Sequence, residues 1–139
     1  MATYSGGCRC SAVRYEVSAE PMMMLQCQCT ECQHATGSGH ADWVIFPSAA
    51  TKIEGKPAKF NRPTDSGKAF SQEFCPHCGS PLFGRPSGMP EGVGMLAGSL
   101  DNPSVFKPQV VVYTDSGHTW DQIDQSVAKF AKMPPQQPR

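Results

Sequence analysis

Seven cysteines fall into three short groups, and this grouping constrains the fold of the 139-residue chain more than any other feature. The groups are C-R-C at 8–10, C-Q-C-T-E-C at 27–32 and C-P-H-C-G at 75–79. The odd number of thiols and the tight C-x-C spacings argue against a disulfide framework, and clustered thiols in a reducing compartment more often bind metal. The sequence therefore predicts metal sites rather than disulfides.

The last group has the most informative local geometry. C-P-x-C-G resembles a zinc knuckle, a tight turn whose backbone N–H groups donate hydrogen bonds to thiolate sulfur. Pro76 presets one backbone dihedral of this turn, and Gly79 permits the positive φ that such a turn often needs. The knuckle supplies two ligands, Cys75 and Cys78, whereas structural zinc takes four in a tetrahedron. A closed site then needs a second pair of thiols from another group.

Seven thiols divide naturally into four plus three. A pair that joins Cys75 and Cys78 would close a four-thiolate site between segments far apart in sequence, and the remaining three thiols would form an open site. Spacing alone does not identify the partners, but the pair Cys8 and Cys10 is the simpler choice because it leaves the local triad intact. That triad consists of Cys27, Cys29 and Cys32.

Histidine offers an alternative to this division. His34 lies two residues after Cys32 and would complete a closed site of three thiolates and one imidazole, because structural zinc also accepts mixed ligands. The other three histidines are expected at the surface: His77 lies inside the knuckle turn, and His40 and His118 lie among glycine and serine residues. An open triad and a triad closed by His34 are both compatible with the sequence.

Charge and composition exclude several classes of function. Lys plus Arg (12) equals Asp plus Glu (12), so no basic excess supports binding to nucleic acid or to an anionic membrane. The N-terminus has no apolar segment of signal-peptide length, and the longest apolar runs, such as MMML at 22–25, are far too short to span a bilayer. We therefore expect a cytoplasmic protein whose cysteines are reduced.

The pattern of apolar residues predicts a mainly antiparallel β domain with little helix. Thirteen glycines and thirteen prolines favour short strands and many turns over long helices. The predicted strands are 13–17, 42–46 and 109–113, with weaker candidates at 23–27, 51–54, 69–74 and 93–98. A loop is predicted at 86–92 from its proline and glycine content.

One segment, 121–130, is predicted to be helical. Asp121 is its candidate cap, and Ile123, Val127 and Phe130 recur at i, i+4 and i+7.

The chain length suits one domain, which is expected over residues 1–133. The proline-rich tail at 134–139 is expected to be disordered or extended.

Three cysteine motifs and one later pattern occur together in this chain. They are GGCRCSAVRYEV (6–17), CQCTECQHATGS (27–38), FCPHCGSPLF (74–83) and a D-x-P…W pattern at Asp101, Pro103 and Trp120. In this order and at these separations, they resemble the glutathione-dependent formaldehyde-activating enzyme family over nearly the whole chain. The resemblance implies a tent-like antiparallel β fold that is stabilised by zinc and has two zinc sites.

The resemblance also implies a role for each cysteine. The first and last groups match the family's C-x-C and later C-x-x-C, which form a closed structural zinc site from Cys8, Cys10, Cys75 and Cys78. The middle group matches the family's C-x-C-x-x-C, whose catalytic zinc keeps a free position for substrate and is held by Cys27, Cys29 and Cys32. The chain departs from the family pattern at Gln28 and Val111, where the family often has histidine. Neither change removes a ligand.

An open zinc site with three thiolates favours thiol activation over hydrolysis. Three thiolates give the centre a net negative charge, which weakens its Lewis acidity toward water. A thiol substrate at the free position would lose its proton and react as a thiolate at neutral pH. Together with the resemblance, this predicts a carbon–sulfur lyase like S-(hydroxymethyl)glutathione synthase, with two zinc ions per chain. Its substrates would be glutathione or a related thiol and formaldehyde or a related small aldehyde.

The alternative is a non-catalytic, zinc-stabilised binding module that uses the same fold as an interaction platform. A fourth protein ligand at the triad, such as His34, would favour this alternative because it would leave no position for substrate.

Overall fold

Two β-sheets organise the chain in the computed structural model, which describes residues 3–64 and 67–134. The strands are β1 (Tyr4–Gly7), β2 (Arg14–Val17), β3 (Met23–Cys27), β4 (Ala41–Pro47), β5 (Thr51–Glu54), β6 (Ala58–Pro63), β7 (Ala69–Phe74), β8 (Pro81–Pro86), β9 (Gly92–Leu96), β10 (Val110–Val112) and β11 (Ala128–Lys129). An α-helix, α1 (Thr30–Thr36), lies between β3 and β4, and short 3-10 turns occur at Ser48–Ala50, Ala97–Ser99, Pro103–Val105 and Thr114–Ser116. The smaller sheet has the order β1–β2–β5, and the larger has the order β11–β10–β3–β4–β9–β8–β7–β6.

The fold is mainly β, as predicted, and most neighbouring strands run antiparallel. Among the described strands, β10 is the exception, because it runs parallel to β3 on one side and to β11 on the other. This pairing places Val112 opposite Cys27. The late part of the chain therefore lies directly against the strand that carries the first cysteine of the triad.

All seven predicted strands are present within one or two residues of their expected bounds. The strands that the sequence patterns missed include β1, β6 and β8. Glycines interrupt β1 and β8, and β6 carries mostly polar side chains, so none of the three shows a clear apolar alternation. The predicted loop at 86–92 shortens to 87–91. Of the predicted tail at 134–139, residues 135–139 lie outside the described residues.

The predicted helix at 121–130 is wrong. This segment runs through turns into β11, and the N–H of Phe130 donates to the carbonyl of Val111 (2.9 Å), while the carbonyl of Phe130 accepts from the N–H of Thr114 (3.1 Å). The edge of the larger sheet therefore uses backbone groups that a helix would pair internally. The helix occurs instead at α1, which is too short for helical periodicity to show in the sequence. No described helix is long and apolar enough to cross a membrane.

Both faces of the larger sheet are covered along β4. Val44 and Phe46 point to one face and pack with residues of the smaller sheet, such as Tyr15. Ala41 and Trp43 point to the other face, because side chains alternate along a strand, and there they pack in a second cluster beside α1. Burying each large apolar side chain of the first cluster contributes about 1.5–3 kcal/mol. The first cluster is thus the main core, and the second supports the triad.

Candidate metal centres

Two turns that lie far apart in the sequence bring four sulfur atoms together. Cys8 and Cys10 lie in the connection from β1 to β2, and Cys75 and Cys78 lie in the connection from β7 to β8. All four Sγ atoms lie within 4.8 Å of one another, and that of Cys10 is 3.7 Å from those of both Cys8 and Cys75. Zn–S bonds of about 2.3 Å in a tetrahedron place the sulfurs about 3.8 Å apart. This four-cysteine cluster therefore fits a tetrahedral zinc ion.

Backbone groups hold the later half of this cluster as the knuckle geometry predicted. The Sγ atom of Cys75 accepts hydrogen bonds from the N–H groups of His77 (3.4 Å) and Cys78 (3.5 Å). Gly79 closes the turn at a φ of 77° and donates its N–H to the carbonyl of Cys75 (2.8 Å). The turn therefore fixes the position of the Cys75 sulfur through backbone groups, as a metal ligand requires.

The thiols of the four-cysteine cluster ionise unequally. A hydrogen bond with the hydroxyl of Ser80, at 3.1 Å, lowers the pKa of the Cys78 thiol to about 5. Burial opposes ionisation of Cys8, but the N–H of Val13 and the neighbouring thiols outweigh it and lower the pKa of Cys8. The Cys78 sulfur thus favours the thiolate at neutral pH without metal, and metal loading would release any protons that remain on the cluster.

The other three cysteines form an open cluster at the junction of β3 and α1, which we call the triad. Cys27 ends β3, Cys29 caps the N-terminus of α1, and Cys32 lies in the first turn of that helix. The Sγ atom of Cys29 accepts a hydrogen bond from the N–H of Cys32 (3.3 Å), as a capping side chain does. The three Sγ atoms lie within 4.8 Å of one another. The interaction that starts the helix therefore also orients a sulfur of the site.

The three thiols of the triad also differ in acidity. Hydrogen bonding by Cys27 and Cys32 lowers the pKa of Cys29 to about 2, and the positive charge of Arg62 adds to this effect. The same interactions with Cys29 and Cys32, together with burial, raise the pKa of Cys27. Cys27 acts to lower the pKa of Cys32, but Cys29 and burial outweigh it and raise that pKa to about 12. Without metal, the triad holds one stabilised thiolate.

No fourth ligand completes the triad within the described part of the chain. No histidine, aspartate or glutamate ligand atom there joins the three sulfurs within 4.8 Å, and His34 is exposed on α1. Gln28 follows Cys27, but its side chain is buried and its Nε2 donates to Oδ2 of Asp121 at 3.1 Å. This arrangement agrees with the open alternative rather than with a site closed by His34.

An aromatic surface forms one wall of the triad, and two glycines make it possible. Trp43 is 6% exposed and packs in the same buried cluster as the triad. A Cβ atom at Gly84 or Gly94 would collide with its indole ring. Because these two positions of β8 and β9 lack side chains, the indole lies across the sheet and meets the ring of Phe70 edge-on, with 6.0 Å between ring centroids. Four strands, β4, β7, β8 and β9, thus contribute to a wall that the sequence did not indicate.

Arg62 extends this wall beyond Phe70. The two residues are paired across β6 and β7, and the guanidinium carbon of Arg62 lies 4.4 Å from the centroid of the Phe70 ring. Nothing in the sequence marks Arg62, because β6 is polar and the approach of its side chain to Glu31 in α1 is a tertiary contact. It is the charged residue near the triad that the sequence analysis missed.

A polar network fixes the late part of the chain to the strands beside the triad. His40, which the sequence predicted at the surface, is half-buried: its Nδ1 lies 2.8 Å from Oδ2 of Asp121 and its Nε2 lies 3.1 Å from Oδ1 of Asp42. Hydrogen bonds to Asp42 and Asp121 raise the pKa of His40 to about 9, so the ring is protonated at neutral pH. Because Asp121 also accepts from Gln28, the network reaches the residue after Cys27.

Other polar residues near α1 lie at the surface. His77 and His118 are exposed, as predicted, and His118 stacks on Trp120 with 5.1 Å between ring centroids. The Nε2 atom of His118 lies 2.9 Å from Oε1 of Gln33 in α1. This contact attaches the late loop to the outer side of the helix.

Comparison with known proteins agrees with the motif resemblance. The family model described as glutathione-dependent formaldehyde-activating enzyme matches residues 3–116, a range that contains all seven cysteines. The fold is similar to the crystal structure of a Rhodobacter sphaeroides protein, with a TM-score of 0.57 and 16% identity, over 91% of this chain and 98% of that one. That similarity supports the fold alone. Since the family match covers most of the sequence, the chain belongs to the glutathione-dependent formaldehyde-activating enzyme family.

Proposed function

We propose that the chain is a zinc-dependent carbon–sulfur lyase resembling S-(hydroxymethyl)glutathione synthase. It would join glutathione, or a related thiol, to formaldehyde, or a related small aldehyde. The observation that carries this proposal is the different number of sulfur ligands in the two clusters. Four sulfurs saturate a tetrahedral zinc ion, whereas three leave one position for a substrate. The proposal includes one zinc ion at each cluster and a cytoplasmic location, where thiols stay reduced.

The residues of the triad suit this chemistry. Zinc held by Cys27, Cys29 and Cys32 would supply a position at which a substrate thiol has a lowered pKa and is held as a thiolate. The chain itself fixes the three sulfurs, through the helix cap at Cys29 and the burial of the other two. The aromatic wall around Trp43 excludes water from one side of the site, which strengthens electrostatic interactions there.

The reaction depends on positioning, because formaldehyde is itself strongly electrophilic. The substrate thiol loses its proton to solvent, and its sulfur forms a bond to the carbonyl carbon of formaldehyde. The carbonyl oxygen takes up a proton, so the product carries an S-hydroxymethyl group and the proton count is unchanged. The reverse reaction breaks the carbon–sulfur bond, which defines the lyase. Holding both reactants in one site replaces a chance encounter by an oriented one.

The proposal is tested by exchange NMR on glutathione and ¹³C-formaldehyde, with and without the zinc-loaded protein. We expect faster exchange with S-(hydroxymethyl)glutathione than in the blank, and exchange at the blank rate with the Cys29→Ser variant, which lacks one triad sulfur. Equal rates with and without protein across about pH 6 to 8 would make this substrate pair wrong. A fourth protein ligand on the triad zinc, detected by X-ray absorption spectroscopy, would favour the interaction module instead.

A further inference from the structure

Arg62 is a buried cation whose hydrogen-bonding capacity is not fully used. Its side chain is 11% exposed, and its Nε atom has no hydrogen-bond acceptor among the residues that the structure describes. Its ion pair in this part of the chain is with Glu31, whose Oε2 lies 3.6 Å from Nε, beyond normal hydrogen-bond distance. Glu31 is 55% exposed, so water screens its charge. Arg62 therefore has no hydrogen-bonded anion among the described residues, and its charge acts only at longer range on Glu31 and on the Cys29 thiol of the triad.

Such a group is costly to bury. A charged side chain that leaves water destabilises the folded chain unless partners replace the lost hydration. The ring of Phe70, 4.4 Å from the guanidinium carbon, compensates for part of this cost through a cation–π interaction. The face of an aromatic ring attracts the positive charge, but it provides no hydrogen-bond acceptor for the N–H groups, which lie in the plane of the guanidinium. An anion from outside the chain would supply the missing acceptor if it displaced the exposed side chain of Glu31 from this edge.

The position of Arg62 points to the triad as the place where this anion binds. Phe70, beneath the guanidinium, packs on Trp43, which shares a buried cluster with the triad. The Nε edge of Arg62 faces Glu31, which lies in α1 between two triad cysteines in the sequence. The cation thus stands on the wall of the open site, with its hydrogen-bonding edge toward the helix that carries two of the three sulfurs.

We propose that Arg62 binds a carboxylate of the thiol substrate and thereby selects carboxylate-bearing thiols at the triad. The planar guanidinium matches a carboxylate in a two-point hydrogen-bonded pair, which a lysine ammonium does not reproduce. The thiol sulfur would be held at the triad and the carboxylate at Arg62, so two contacts orient one small molecule. This inference rests on the proposed function, because it assumes that a thiol binds at the triad.

The test compares two thiols that differ in charge and hardly in size. They are 3-mercaptopropionate, which is an anion at neutral pH, and 3-mercaptopropanamide, its neutral counterpart. Dissociation constants for the zinc-loaded protein are measured by titration calorimetry, and exchange of each thiol with ¹³C-formaldehyde is measured by NMR. For the unmodified protein we expect the anionic thiol to bind more tightly, by about tenfold, as for a charge-assisted hydrogen bond in a partly buried site.

Two variants and a control isolate the contribution of Arg62. Arg62→Gln should remove the preference for the anionic thiol and leave the affinity for the neutral amide within about twofold. Arg62→Lys keeps the charge without the planar fork and should restore part of the preference. Lys59→Gln is the control, because it removes the same charge from the same strand. Lys59 is exposed, and since it lies three positions from Arg62, its side chain faces the opposite side of β6. It should leave the preference unchanged.

The outcomes separate this inference from the proposed function. If the unmodified protein binds both thiols equally, or if Arg62→Gln weakens both thiols by the same factor, Arg62 does not recognise a carboxylate and the lyase proposal still stands. If the unmodified protein binds neither small thiol but still accelerates exchange with glutathione, this inference fails and the lyase proposal stands. If it accelerates exchange with none of the three thiols, the proposed function fails and this inference fails with it. If Arg62→Gln unfolds, which circular dichroism would detect, the Arg62→Lys variant decides the question. A folded Arg62→Lys variant that prefers the anionic thiol as strongly as the unmodified protein does would contradict the requirement for a guanidinium.

Discussion

The four-cysteine cluster and the triad use the same ligand, but the fold builds them differently. In the four-cysteine cluster, Cys8 and Cys75 lie 67 positions apart (75 minus 8) and come from two separate turns. The triad occupies six residues, 27–32, at one strand end and the first turn of α1. A metal ion that links distant turns restricts the unfolded chain more than one that closes short local loops. We therefore expect the first cluster to stabilise the fold, and the fold to hold the triad in place.

The largest effect is expected from removing one sulfur of the four-cysteine cluster. Binding energy at a structural zinc site is folding energy, on the order of 10 kcal/mol, and the stability of a domain is about 5–15 kcal/mol. The variants Cys75→Ser and Cys10→Ser should therefore be insoluble or lack fixed tertiary structure. Solubility and near-ultraviolet circular dichroism of the purified variants measure this outcome.

Removing a sulfur of the triad should leave the chain folded but abolish the proposed activity. Cys29→Ser and Cys32→Ser are expected to remain folded, to contain about one zinc ion per chain and to lose exchange activity, because the triad closes only local loops. Zinc analysis and circular dichroism measure the first two properties. If these variants collapse while Cys75→Ser stays folded, the structural and catalytic roles of the two clusters are reversed.

The two ions should also differ in how readily a chelator removes them. The triad ion has one protein ligand fewer, so it should leave first, and the four-cysteine ion should leave only as the domain unfolds. A zinc-sensitive dye should record two phases of release, and Cys29→Ser should lack the faster one. A single phase with the same rate in both proteins would contradict the distinction between an open and a closed site.

The smallest effect concerns the polar network of His40, Asp42 and Asp121 beside the triad. Its contribution to the stability of the folded chain should depend on pH. The pKa of His40 is raised to about 9 in the folded chain, above its unfolded value of about 6.5, so its stabilising contribution is complete below about pH 6.5 and is lost as the pH rises through about 9. The contribution is on the order of 1–3 kcal/mol. The variant His40→Gln should be less stable than the unmodified chain at pH 6, and the difference should narrow by pH 9.5.

Urea unfolding at several pH values, with zinc held constant, measures this difference. The ring of His40 is faced by Asp42 and Asp121 and by the amide of Gln26. The control variant Asp124→Asn removes a carboxylate of the same late segment that bonds to Ser126 within its own turn. A difference between His40→Gln and the unmodified chain that stays constant from pH 6 to 9.5 would show that His40 acts without its charge.

The sequence predicted those parts of the site that depend on local chemistry. The knuckle turn at Cys75 and Cys78 follows from proline and glycine at set positions, and the structure has both the sulfur hydrogen bonds and the positive φ of Gly79. Spacing could not identify Cys8 and Cys10 as the other half, because that depends on how two distant turns meet. Before the structure, this pairing was the simpler choice because it left the triad intact, and the family resemblance implied it.

The features that sequence reasoning missed depend on tertiary contacts. The partnership of Asp121 with His40 replaces the helix cap expected at Asp121, because the backbone of the late segment pairs with the larger sheet. Arg62 lies in β6, at the edge of the larger sheet opposite β10 and β11, and its side chain still reaches Glu31 in α1. No periodicity in the sequence encodes these contacts between distant positions. Most of the strands were predictable, since their apolar pattern is a local property, whereas β1, β6 and β8 lack a clear alternation.

The position of Trp43 makes the triad observable by its fluorescence. The chain has two tryptophans, and Trp120 is 64% exposed whereas Trp43 is 6% exposed beside the triad sulfurs. Because solvent relaxation shifts indole emission to longer wavelength, the two residues should emit in separable bands, and a neighbouring thiolate quenches indole emission. In a Trp120→Phe variant, the remaining emission would report the occupancy of the triad alone. The indole of Trp43, which forms one wall of the site, would then also report whether the site holds metal.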